Sequence, residues 1–162
     1  MFLFIDARII LTLLRIVLGA VMIYYGWPKI GDLRTNAKDF VGMGFKPGWF
    51  WGTLIALVEF PGGVLVVLGL FAEIAAAFFA FQMLVGTFWK LKNKKDFTEY
   101  SYDLQLFALG LVVWKLGPGA FSLVSVEFPL LRWDIAAGAV VFALFLAYLA
   151  EIFGKPYQRW RG

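Results

Sequence analysis

Runs of about twenty mostly apolar residues recur along this 162-residue chain, more than a water-soluble fold of that length could bury. A helix rises 1.5 Å per residue, so about 20 apolar residues cross the roughly 30 Å of hydrocarbon in a bilayer. Segments of that kind occupy residues 7–27, 51–70, 73–89, 99–116 and 133–153. Composition agrees: 62% of residues are hydrophobic and only 16% charged, against about a quarter charged in soluble domains. The first segment lacks a basic start and a convincing small-residue cleavage site, so it reads as a retained helix. Residues 28–49 form a polar interlude in which Leu33, Ala37, Phe40 and Val41 share one side at helical spacing. That spacing predicts a short interfacial helix ended by Lys46-Pro47-Gly48. Gly117-Pro118-Gly119 ends the fourth segment.

Lys and Arg residues report orientation in such a chain. With five crossings, eleven of them (among them Lys29, Lys38, Lys90 and Lys155) fall on one side, against Arg8, Lys115 and Arg132 on the other. The expectation is an outer N-terminus and a cytoplasmic C-terminus. Lys92, Lys94 and Lys95 read as orientation signals that touch anionic lipid, and the pattern does not suit nucleic acid. Trp27, Trp49, Trp51, Trp89, Trp133 and Trp160 sit at segment ends, as in an aromatic belt. The chain has no Cys and no His, so thiolate and imidazole ligands for a metal, a haem or an iron–sulfur cluster are absent. No GxGxxG, P-loop or GxSxG motif occurs.

Ionisable groups inside a membrane are costly and point to a site or a structural pair. Arg15 lies eight residues into the first segment and Glu59 eight residues into the second, each roughly 12 Å from opposite surfaces. Their heads are then about 6 Å apart in depth, close enough for an ion pair. Gln82, Asp103 with Gln105, and Tyr24 with Tyr25 add polar groups at middle-to-inner depth. Arg15, Gly19, Gly26 and Lys29 share a face of the first segment, and Gly62 and Gly63 follow Glu59 in the second. Glycines there admit a neighbouring helix or a flat ligand. Two readings of the polar set stand side by side: a pair that fixes helix register, or a ligand site.

Leu14-Arg15 with Gly19, Gly26 and Lys29, then Glu59 with Gly62-Gly63 and Leu68-Gly69-Leu70, then Glu99 or Asp103, then Gly117-Pro118-Gly119 with Ser122-Leu123, occur in that order. The ordered set resembles the DoxX family of small prokaryotic membrane proteins over residues 7–124. The resemblance implies an all-α membrane protein: a four-helix transmembrane bundle in residues 1–124. Residues 125–162 would add a linker, a fifth transmembrane helix and a basic cytoplasmic tail. The family's pattern often reads Ser-Leu-Asp where this chain has Ser122-Leu123-Val124, so any role of that Asp is missing. By the same resemblance the chain is expected in a prokaryotic plasma membrane, as a quinone-associated subunit or partner of a membrane oxidoreductase, one of whose known forms is the thiosulfate:quinone type. The candidate quinone cluster is Arg15, Tyr24, Gly26, Lys29, Glu59, Gly63, Gln82 and Asp103. Two other readings stay open: a non-catalytic accessory subunit of a larger, oligomeric complex, and a small transporter.

Overall fold

In a computed structural model the described residues, 6–123, form five α-helices and no strands. The predicted fifth crossing, 133–153, lies outside the described residues.

Helix α1, Ala7–Gly31, starts at Asp6, whose carboxylate accepts from the Arg8 amide at 2.9 Å. Its 25 residues continue through Pro28 and measure about 37 Å, longer than the hydrocarbon layer. Asp32 ends it and at once caps α2, Leu33–Gly42, by accepting from the Thr35 amide at 3.0 Å. Hydrogen bonds from Thr35, side chain first and then backbone, hold the exposed Asp32 carboxyl below its ordinary range. α2 is the short helix expected within residues 28–49. Its buried residue is Asn36, however, while Leu33 and Val41 stay exposed. Asn36 turns inward because its Nδ2 donates to the Gly52 carbonyl at 2.6 Å.

α3, Gly48–Leu68, and α4, Ala72–Lys92, run antiparallel, joined through Gly69 in the left-handed region at φ +70°. α5, Phe97–Leu116, returns alongside α4. Three helices, α1, α3 and α4, are long and apolar enough to cross a membrane. α5 has the place and length of the expected fourth crossing, but Glu99, Asp103, Lys115 and its tyrosines dilute its apolar character.

The exterior is the inverse of a soluble protein's. On α1, Ile9, Leu13, Ile16 and Val17 are exposed while Thr12 and Arg15 are buried. Such a surface is stable against lipid, and the protein is a membrane protein. Inside, Leu18, Met22, Val66, Phe79, Leu106, Val113 and Trp114 form one core shared by α1, α3, α4 and α5. α1 and α3 meet backbone to backbone. A Cβ at Gly26 would lie 2.4 Å from the Phe60 nitrogen, and one at Gly63 would lie 2.8 Å from the Gly19 carbonyl oxygen. After α5, residues 117–123 fold over the start of α1. The Ala120 amide donates to Thr12 Oγ1 at 3.0 Å and the Ser122 hydroxyl to the Gly69 carbonyl at 2.7 Å.

Candidate functional site

The glycine seam sets the register that builds the site. With Gly26 pressed against Glu59 and Phe60, the next turn of α1 brings Lys29 to the Glu59 carboxylate. Lys29 Nζ donates to both Glu59 oxygens, and Gln82 Nε2, from α4, donates to Oε1. Glu59 is 1% exposed, whereas the Lys29 side chain is 30% exposed at the helix end. Three helices thus converge on one buried carboxylate whose charge is compensated by a lysine that keeps contact with the surface.

The expected Arg15–Glu59 pair does not form. Arg15 lies eleven residues before Gly26, about 16 Å up the helix from the level of Glu59. The depth estimate set the start of α3 level with the end of α1, but with Gly26 against Glu59 and Phe60 the first turns of α3 extend beyond Gly31. Arg15 is buried, 2% exposed, and its Nη2 donates to the Phe121 carbonyl at 2.7 Å. Its Nε and Nη1 have no hydrogen-bond partner among the described residues.

A second lysine–carboxylate pair joins the end of α4 to α5. Lys90 Nζ lies 2.7 Å from Asp103 Oδ2 and also donates to the Glu99 carbonyl at 3.0 Å. Asp103, on α5, is 6% exposed. Gly86 lets it approach α4, since a Cβ there would sit 3.0 Å from Asp103 Oδ2. Gln82, Gly86 and Lys90 follow each other at i, i+4 and i+8, so one face of α4 links the two pairs.

Both pairs line one cavity of about 450 Å³. Its walls are apolar, with Leu54, Ile55 and Val58 from α3 facing Phe78, Phe81 and Val85 from α4. α2 closes one side with Asn36, Phe40 and Met43, and the Met43 carbonyl accepts from Trp89 Nε1 at 2.9 Å. An apolar chamber with a few convergent polar groups is the usual form of a small-molecule site. Gln82 Oε1 is buried with no hydrogen-bond partner among the described residues, an acceptor left for a ligand O–H or N–H.

Of the eight sequence candidates, Lys29, Glu59, Gln82 and Asp103 line this cavity. Gly26 and Gly63 belong to the α1–α3 seam, and Gly26 acts on the site by admitting α1 to the back of Glu59. Tyr24 points outward, and its ring meets Tyr25 edge-on at 5.2 Å. Gln105 is exposed, away from the cluster. Lys90, Gly86 and the α2 wall were missed. In the sequence Lys90 reads as one of the orientation lysines, although its spacing from Gln82 places both on one face of α4.

Comparison with known proteins finds a family match. Residues 10–91 match DoxX. A Bacillus subtilis (strain 168) protein named "Putative oxidoreductase CatD" is 31% identical over 104 residues, covering 62% of this chain and 75% of that protein. No solved structure matches.

Proposed function

The chain belongs to the DoxX family, and from its cavity we infer that it binds the head group of a quinone as a subunit or partner of a membrane oxidoreductase. The observation that carries this reading is the pair of lysine–carboxylate couples, with Gln82, opening into one apolar chamber between α3 and α4. A quinone is a flat, apolar ring with carbonyl oxygens at its edge, and on reduction it takes up two electrons and two protons. Leu54, Val58, Phe78 and Phe81 would hold the ring. The Lys29 ammonium would donate a hydrogen bond to a quinone carbonyl, and Gln82 Oε1 would accept one from a quinol hydroxyl. Glu59 and Asp103 are buried carboxylates whose lysine partners reach the surface, a suitable arrangement for holding and exchanging protons. Electrons would come from a partner protein or an organic donor. The word oxidoreductase in the name of the Bacillus subtilis relative favours that setting.

In this reading the chain sits in a prokaryotic plasma membrane with its N-terminus outside, α5 is the fourth crossing of the bundle, and residues 133–153 are a fifth crossing that offers a docking surface. The test is binding of a short-chain quinone analogue to the full chain, purified with its native partners in lipid nanodiscs, alongside mass spectrometry of extracted lipids. Wild-type protein should bind the analogue, and Lys29→Ala should weaken binding about tenfold or more, the cost of one charge-assisted hydrogen bond. If wild-type protein never binds it, the quinone reading gives way to an accessory subunit without chemistry of its own.

A further inference from the structure

The two sides of α2 differ. Asn36, Asp39, Phe40 and Met43 face the internal cavity. The opposite side, with the first turns of α3, walls a shallow groove of about 600 Å³ lined by Leu33, Arg34, Lys38, Val41, Trp49 and Thr53, among others. An adjoining recess shares Val41 and adds Lys46. Among the described residues, no carboxylate lines either one. Arg34 and Lys38 make no ion pair among the described residues. Asp32, the acid that feels Lys38, is engaged as the cap of α2. Beside these cations, Leu33, Val41 and Trp49 are exposed, Trp49 to 67%.

The groove is held rigidly. A Cβ at Gly48 would lie 2.2 Å from the Ala37 carbonyl oxygen, and one at Gly52 3.0 Å from the Ala37 nitrogen, so α2 rests directly on the α3 backbone. Asn36 locks that contact through its bond to the Gly52 carbonyl. Unpaired cations beside exposed aliphatic and indole surface, at the first turn of an apolar helix, match the boundary between head groups and acyl chains.

We propose that this groove is a binding site for one anionic phospholipid of the leaflet in which α2 lies. Arg34 and Lys38 hold the phosphate, Lys46 adds to the field from the adjoining recess, and an acyl chain runs along Val41, Trp49 and Thr53. The site is separate from the α3–α4 cavity and stands whether or not that cavity binds a quinone.

The test uses the full chain in nanodiscs of phosphatidylcholine with 20% phosphatidylglycerol, with retained lipid counted by native mass spectrometry. Wild-type protein should retain one phosphatidylglycerol with about a tenfold preference over phosphatidylcholine. Arg34→Gln with Lys38→Gln should abolish the preference. Both side chains are exposed, so the far-ultraviolet circular dichroism and the melting transition should not change. The triple variant Lys92→Gln, Lys94→Gln, Lys95→Gln removes more charge elsewhere and should keep the preference. Equal loss in the triple variant would show a diffuse field and overturn the proposal. So would no preference in the wild type, or equal competition by the water-soluble glycerophosphoglycerol head group, which lacks the acyl chains.

Discussion

Glu59 is held by unequal partners. Lys29 brings charge and reaches the surface, while Gln82 brings a neutral hydrogen bond from inside. Removing Lys29 would strand a carboxylate that is 1% exposed, whereas removing Glu59 would leave an ammonium already able to find water. Lys29→Ala should therefore cost about 3–5 kcal/mol in a thermal or denaturant melt in detergent, and Glu59→Ala less. The double variant should cost clearly less than the sum, since neither charge is then abandoned. Arg15→Ala combined with Glu59→Ala should instead be additive within about 0.5 kcal/mol, because the two lie on different levels of the bundle. Coupling of 1 kcal/mol or more between Arg15 and Glu59 would contradict the register described here.

The glycine seam and α2 are the elements that turn an apolar sequence into a site. Gly26 and Gly63 face backbone atoms that cannot yield, whereas Gly86 faces only the Asp103 carboxylate. Gly26→Leu should abolish the cooperative melt or lower stability by more than about 3 kcal/mol, through overpacking of two backbones. Gly86→Ala should fold normally and alter only the Lys90–Asp103 side of the cavity, visible as changed analogue binding with an unchanged melt. A Gly26→Leu protein that melts like wild type would mean that α1 and α3 do not touch there. The sequence made the helices and this seam legible, because block length and glycine spacing are properties of single segments. It did not reveal which charges meet. Pairing Glu59 with Lys29 rather than Arg15 depends on where α1 and α3 begin and end, and a shift of one turn moves a side chain about 5 Å. Asn36 was invisible for a similar reason: its burial depends on the Gly52 carbonyl of another helix.

At the scale of the whole molecule, α5 decides how many times residues 6–123 cross the bilayer. Hydropathy alone selects α1, α3 and α4. Yet α5 starts beside Lys90, at the end of α4, and the residues after it reach Arg8, Thr12 and Arg15 near the start of α1. Its 20 residues, about 30 Å of helix, therefore run alongside most of the length of α1. Asp103, the charge that most weakens its apolar character, is neutralised by Lys90 and turned inward. The chain contains no cysteine, so single cysteines can be placed without a background. A membrane-impermeant maleimide applied to intact cells should label a cysteine at Phe121, which is exposed at the α1 start, but not one at Lys38 or Lys94 until the membrane is broken. Cysteines at Ile16 and Val17, exposed but facing hydrocarbon, should stay unlabelled under both conditions. Labelling of positions 94 and 121 from the same side would mean that α5 does not cross, leaving three spans and a peripheral helix. Labelling of 38 and 94 from outside with 121 protected would keep four crossings and reverse the orientation that the Lys and Arg distribution implies.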